Sequence, residues 1–192
     1  MTELVNIRKN PVSLLCFLIA VSVFAVATLT TPENVRFLSF NYDMLPGRWY
    51  SFLTYGFVHV DWNHIIINMG LLVWIGVWVE RLIGSKRFTA LILSGILAGG
   101  LTLFLRETEG IGFSAAVAAI LFYYHFAFPF KKELLFNIPN IALPVALFIF
   151  SVVSIIFGWL PMIGHYPHLA GALVGIALLM LFRKHHNPIE ED

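Results

Sequence analysis

The sequence predicts an all-α membrane protein made of six transmembrane helices. Of its 192 residues, 59% are hydrophobic and only 12% are charged, whereas soluble domains are roughly half apolar and about one quarter charged. The mean hydropathy is +0.83. The apolar residues are gathered into runs long enough to cross a bilayer, so we expect a single polytopic membrane domain over residues 1–192.

A transmembrane helix needs ~20 mostly apolar residues, because the hydrocarbon core is about 30 Å thick and a helix rises 1.5 Å per residue. Six segments meet this criterion, at about residues 11–29, 60–83, 88–105, 111–130, 143–159 and 167–182. Pro11 suits the first turn of the first helix. Residues 134–182 contain no Asp, Glu, Lys or Arg, and we divide them at the turn formers Gly158 to Pro161 and Gly164 to Pro167. The aromatic and apolar side chains of residues 30–57 favour a loop that lies in the membrane interface.

The basic residues predict the orientation in the membrane. One side of this topology receives nine of them, namely Arg8, Lys9, Arg81, Lys86, Arg87, Lys131, Lys132, Arg183 and Lys184. The other side receives three, namely Arg36, Arg48 and Arg106. The positive-inside rule therefore places both termini in the cytoplasm, and the short tails fit a prokaryotic inner membrane. Cleavage after Ala25-Val26-Ala27 by a signal peptidase would leave five helices; we retain the first helix.

Composition also argues against several partners. A net charge of +1 gives no basis for binding nucleic acid. Cys16 is the only cysteine, which excludes an internal disulfide and a thiolate metal site. The histidines have no carboxylate or thiolate at their depth, so we expect no metal and no other cofactor.

Four polar side chains are predicted to lie at similar depth inside the membrane. Helices two, four and six run in the same direction, and each carries its polar residues in its first turns. His64 and Asn68 share one face of helix two, Ser114 lies about one turn into helix four, and His168 lies in the first turn of helix six. Polar groups in a membrane helix are rare and are often functional.

Small residues predict a close contact between helices four and six. Gly171 and Gly175 form a G-x-x-x-G pattern, and helix four carries small residues after Ser114, namely Ala115, Ala116, Ala118 and Ala119. Such residues allow helix backbones to approach closely in lipid. This contact would bring Ser114 within hydrogen-bond reach of His168.

A serine paired with an imidazole is the arrangement of a nucleophile and its general base. The hydroxyl attacks only when a neutral imidazole accepts its proton. Because no acidic residue lies at this depth, we predict a dyad of Ser114 and His168. The side chains of Asn68 and His64 are candidate donors to the developing oxyanion, as is the backbone N–H of Ser114 at a helix N-terminus.

These residues resemble the motifs of rhomboid intramembrane serine proteases. The matching stretches are His59-x4-His64-x3-Asn68, Glu80 ahead of Gly84-Ser85, Gly112-x-Ser114, and His168-x2-Gly171-x3-Gly175. The resemblance implies a six-helix bundle with a water-filled cavity that opens outward. It also implies that Ser114 is the nucleophile, that His168 is the base, and that His64 and Asn68 bind the oxyanion. Its structural residues would be His59, Glu80, Gly112, Gly171 and Gly175. Rhomboid proteases cleave transmembrane substrates near the outer membrane surface, admitting them past their second and fifth helices.

The sequence departs from the family pattern at three places. Ala115 replaces the glycine that usually follows the nucleophile, which predicts a tighter turn or a tighter contact with helix six. Ala118 stands where an aromatic residue often packs under the histidine. The usual Trp-Arg pair of the first loop occurs in reversed order as Arg48-Trp49.

Two other functions remain open at this level. A protease-like module that binds transmembrane helices without cleaving them is compatible with Ala115 and Ala118. A small transporter would need polar residues along a path to both faces. Single polar residues also have structural explanations, since a serine commonly bonds a carbonyl one turn back. The remaining histidines are interpreted as interfacial or packing residues (His59, His125 and His165) and as a solvated tail (His185 and His186).

Overall fold

The computed structural model describes residues 10–132 and 137–187. Within these ranges it contains six main helices: α1 Pro11–Leu29, α2 Trp62–Ile83, α3 Ser85–Leu105, α4 Ser114–Ala127, α5 Ala142–Phe157 and α6 His165–Phe182. Helices α1, α2, α3 and α6 are long and apolar enough to cross a membrane. Helices α4 and α5 are apolar but shorter, with 14 and 16 residues. The expected class, an all-α, multi-pass integral membrane protein with six helices, is confirmed. Arg8 and Lys9 of the charge count lie outside the described residues.

Local sequence signals explain several helix ends. The Asp61 carboxylate accepts a hydrogen bond from the backbone N–H of His64 at 2.9 Å and so caps the start of α2. The chain turns from α2 into α3 at Gly84, which has φ +78°, and α5 ends at Gly158, which has φ +66°. Glycine adopts these left-handed conformations without the steric penalty of a side chain.

Helix α4 lies at the centre of the bundle. Ten of its 14 residues are buried, and α2, α3, α5 and α6 pack around it. A helix of this length rises about 21 Å, which is less than the ~30 Å of hydrocarbon that a spanning helix crosses. Helix α4 alone is therefore too short to cross the hydrocarbon core.

The start of α4 differs from the predicted position. Residues 111–113 do not join the helix, because Gly112 has φ +108° and donates its N–H to the carbonyl of Tyr55 at 2.9 Å. Ser114 is consequently the first residue of α4, and not a residue one turn inside it. Its backbone N–H belongs to the end of the helix where donors lack intrahelical acceptors.

Helix α4 contacts its neighbours backbone to backbone. A Cβ atom at Gly171 of α6 would overlap the carbonyl oxygen of Ala115, and one at Gly175 would overlap that of Ala119. Two glycines at this spacing let α6 approach closely, as in other membrane helix pairs.

A buried glutamate joins the ends of three helices. The carboxylate of Glu80 in α2, which is 1% exposed, accepts hydrogen bonds from the backbone N–H of Val12 and from the N–H and hydroxyl of Ser13, at 3.0, 2.8 and 2.7 Å. It also accepts one from the Ser85 hydroxyl at 2.7 Å. A negative charge at the N-terminus of α1 is favourable, because unpaired N–H groups gather there. Glu80 thereby ties α1 to the turn between α2 and α3.

The connector between α1 and α2 folds over the ends of α3 and α4. Phe40 is fully buried and exchanges two backbone hydrogen bonds with Gly110, both 3.0 Å long. The Tyr55 hydroxyl donates to the carbonyl of Ile96 at 2.7 Å. Phe37 and Trp49 remain exposed. The connector is thus attached to the segment that leads into Ser114.

The interpretation of His185 and His186 as a solvated tail is wrong for His186. Its Nε2 atom lies 2.9 Å from the Tyr123 hydroxyl, while His185 is exposed. The next residue, Asn187, donates hydrogen bonds to the carbonyls of Leu82 and Arg81, each at 2.7 Å. The last carbonyls of a helix have no intrahelical donors, which explains why the chain after α6 docks at the end of α2.

Candidate active site

The structure brings Ser114 and His168 together. Nε2 of His168 lies 2.8 Å from the Ser114 hydroxyl oxygen, a normal hydrogen-bond distance. Ser114 begins α4, and His168 lies in the first turn of α6. The glycine contacts between these two helices make the distance possible, since Gly171 is one turn beyond His168 and faces the backbone of Ala115.

His64 lies beside the segment that precedes Ser114. A Cβ atom at Gly112 would lie 2.5 Å from both Cε1 and Nε2 of the His64 ring. Position 112 therefore requires glycine for two reasons. Its φ is positive, and the imidazole of His64 occupies the space that a side chain would need. The His64 ring thus packs against Gly112, which lies two residues before Ser114 in the chain.

Asn68 is buried and lies one turn further along α2. Its Nδ2 atom donates a hydrogen bond to the carbonyl of His64 at 2.8 Å. A side-chain amide carries two N–H donors, so one donor is left for another acceptor. Asn68 lines the same cavity as Ser114, His64 and His168.

This cavity has a volume of about 1620 Å³ and a mixed lining. Its polar residues include Ser114, His168, His64 and Asn68. Its apolar residues include Ile67 and Leu71 of α2 and Leu147 and Phe148 of α5.

His59 supports His64 from outside the membrane helices. It is 4% exposed, its ring packs edge-on against that of His64 with centroids 4.8 Å apart, and its Nδ1 lies 3.3 Å from the carbonyl of Phe57. Burial, with a smaller contribution from His64, lowers the pKa of His59 to about 4, although the hydrogen bond to Phe57 opposes this shift. His59 is therefore neutral near pH 7 and adds no positive charge beside His64.

The structure explains how Ala115 is accommodated. A Cβ atom at Gly99 of α3 would lie 2.7 Å from the Ala115 methyl group, whereas Gly171 of α6 faces the Ala115 carbonyl. The methyl group thus points toward α3, where the missing side chain of Gly99 leaves room for it. It does not tighten the contact with α6, as the sequence had suggested.

Ala118 lines the cavity and leaves His168 without an aromatic support. In the described parts of the chain, none of the aromatic ring contacts involves His168. Ser114 and the contact between α4 and α6 are what hold this imidazole. Arg48 also lines the cavity, and the adjacent Trp49 is 71% exposed.

A further histidine in the cavity wall was interpreted only as an interfacial or packing residue. His165 precedes His168 by three residues, packs against the ring of Phe150 with centroids 5.8 Å apart, and lines the cavity. The spacing of three residues from His168 is the sequence signal for a shared helix face. Among the residues that the structure describes, no group of three His, Cys, Asp or Glu side chains is arranged to hold a metal ion.

Fold and site together define a multi-pass membrane protein with a serine and an imidazole in hydrogen-bond contact at a cavity inside the helix bundle. A family model, the Rhomboid domain, matches residues 46–185, which is more than half of the chain. The chain belongs to the rhomboid family of intramembrane proteases. The match begins within the connector after α1 and ends just beyond α6.

Proposed function

We propose that this chain is an intramembrane serine endopeptidase that uses Ser114 as its nucleophile and His168 as its general base. The observation that carries the proposal is the 2.8 Å distance between the Ser114 hydroxyl and Nε2 of His168. Membership of the rhomboid family supports it, since this is a family of intramembrane proteases.

The proposed reaction follows the serine-protease scheme with two residues in place of three. Ser114 donates its hydroxyl proton to Nε2 of His168 while the oxygen attacks the carbonyl carbon of the peptide bond. The imidazolium then gives this proton to the leaving amine, and the bond to that amine breaks. Water, activated by the same imidazole, hydrolyses the resulting ester and frees Ser114.

The negative charge on the carbonyl oxygen needs hydrogen-bond donors that are already in place. We assign this role to the Asn68 amide and the His64 ring. Asn68 is buried, with one N–H held by the carbonyl of His64 and a second N–H available. The backbone N–H of Ser114 is a third candidate, because it lies at the positive end of α4.

The proposed substrates are transmembrane segments of other proteins, drawn from the lipid bilayer. The apolar walls that α2 and α5 contribute to the cavity fit such a segment. The unequal distribution of Lys and Arg supports an orientation with cytoplasmic termini and an outward-facing cavity. The proposed chemistry needs neither a cofactor nor a metal ion.

A serine-directed fluorophosphonate tests the proposal. The purified chain should react at Ser114, as shown by mass spectrometry of the labelled peptide, and should cleave a model transmembrane peptide in liposomes. Ser114→Ala and His168→Ala should each lower both rates by at least about 1000-fold. Ser94→Ala is a matched control, because Ser94 lies in α3 and does not line the cavity. Equal rates for the wild type and Ser114→Ala would refute the proposal.

A further inference from the structure

Two buried polar side chains beside the proposed dyad have no hydrogen-bond partners. His165 is 5% exposed and Ser154 is 1% exposed. Within residues 10–132 and 137–187, the two ring nitrogens of His165 have no hydrogen-bond partner, and the hydroxyl of Ser154 has none either. An unpaired polar group in a protein interior is costly and rare, so each such group calls for an explanation.

Both residues border the cavity that holds Ser114. His165 is the first residue of α6, and Ser154 lies in α5, the helix that packs against α6. Each contributes to the cavity wall, while its polar atoms lie just behind the wall surface. The unpaired polar atoms therefore lie at the margin of the cavity that holds Ser114.

Packing alone does not account for His165. Its ring contacts Phe150 in an edge-to-face arrangement, with an interplanar angle of 66°. A phenylalanine at this position would make the same contact without burying two unpaired nitrogen atoms. The ring contact therefore does not explain why this residue is a histidine, and its capacity to form hydrogen bonds remains to be explained.

The missing partner has the chemistry of a peptide group. A neutral imidazole offers one donor and one acceptor, and a serine hydroxyl offers both. A transmembrane substrate must unwind around the bond that is cut, which frees its N–H and C=O groups from the helix. Such groups are costly in an apolar environment unless the protein supplies partners.

We propose that His165 and Ser154 form a substrate-binding subsite that hydrogen-bonds a peptide group of the unwound substrate next to the scissile bond. This inference rests on the proposed protease function, and it assigns the two residues no part in bond cleavage. The subsite is formed by α5 and α6, whereas the proposed oxyanion donors belong to α2.

The test separates substrate binding from the reactivity of Ser114. We expect His165→Phe to retain the ring contact with Phe150 and to lower kcat/KM for a model transmembrane peptide by about 5- to 30-fold, the effect of one lost hydrogen bond in a buried site. Ser154→Ala should lower it by about 3- to 10-fold. The rate of fluorophosphonate labelling should stay within about 2-fold of wild type in both variants, because this small reagent needs no subsite. His165→Asn, which keeps a donor and an acceptor, should restore part of the activity.

An ester scan of the peptide identifies the contact itself. Replacing one amide near the scissile bond by an ester removes its N–H donor. At one position the ester should lower kcat/KM of the wild type by about 5-fold and that of His165→Phe or Ser154→Ala by less than about 2-fold. Ser94→Ala is the control, because Ser94 does not line the cavity and its replacement should leave the full ester effect.

Three results would overturn the inference. Wild-type cleavage by both His165→Phe and Ser154→Ala would show that no subsite exists. A parallel loss of labelling and cleavage would mean that His165 supports the dyad and does not bind substrate. A wild-type protein that is neither labelled nor active would refute the protease function, and the subsite with it. The first two results refute the subsite alone, so the two failures can be told apart.

Discussion

The substitution Gly171→Ala tests whether the contact between α4 and α6 sets the distance between the proposed nucleophile and base. The added methyl group would overlap the carbonyl oxygen of Ala115, which immediately follows Ser114. This oxygen belongs to the backbone of α4 and cannot rotate away as a side chain would. The overlap must therefore push α6, and His168 with it, away from Ser114.

Two opposing energies determine the expected size of the effect. Overpacking a close contact costs about 1–3 kcal/mol, while replacing glycine by alanine inside a helix gains about 1 kcal/mol. We expect a net loss of about 1 kcal/mol in the free energy of unfolding. The effect on activity should be larger, because a displacement of about 1 Å can reduce a rate 100-fold, and the Ser114–His168 distance of 2.8 Å leaves little tolerance.

The assay compares two glycine variants. Gly70→Ala is the matched control, because Gly70 is exposed in α2 and a Cβ atom there meets nothing within 4 Å. The rate of fluorophosphonate labelling should fall by about 100-fold in Gly171→Ala and stay at the wild-type value in Gly70→Ala. Thermal unfolding in detergent reports the stability of both variants. Equal labelling rates in the two variants would refute the reasoning.

Three further predictions concern the other polar groups. Glu80→Gln should lower the free energy of unfolding by about 2–4 kcal/mol, since at least one of its four donors, from Val12, Ser13 and Ser85, loses a charged acceptor; an unchanged melting temperature would contradict this. Asn68→Ala should lower kcat by roughly 10- to 1000-fold and the free energy of unfolding by about 1 kcal/mol, because the hydrogen bond to the carbonyl of His64 is lost; full activity would assign the oxyanion to other donors. Labelling of Ser114 should slow as the pH falls into the range where His168 binds a proton, because an imidazolium cannot accept the serine proton; labelling that stays independent of pH until the protein unfolds would exclude this imidazole as the base.

The positions of the membrane helices were largely predictable from the sequence. The predicted first helix coincides with Pro11–Leu29, and the other predicted limits lie within about three residues of the observed ones. The prediction works because the length of an apolar run and the turn formers that end it are local properties. The three-residue error at the start of α4 has a distant cause, because Gly112 is held by the carbonyl of Tyr55.

Contacts between distant parts of the chain were the least predictable. The sequence showed that Ala115 carries an extra methyl group but not that Gly99 of α3 leaves room for it. Likewise, nothing local to His186 indicates that Tyr123 lies beside it. These outcomes depend on which helix faces which, and that is decided by packing over the whole bundle.

What the sequence determined by itself is the membrane class and the approximate limits of the six helices, because both follow from the spacing of apolar and polar residues along one chain. The tertiary structure alone decided that Ser114 and His168 are neighbours, and that Glu80 joins α1 to α2 and α3. The position of a residue along a helix follows directly from the sequence, because each residue adds a fixed rise of 1.5 Å. The lateral position of a helix depends on the sizes of the side chains on the helices that face it. At Gly171, for example, the lack of a side chain lets α6 approach the backbone of Ala115. Such contacts exist only once the helices have packed.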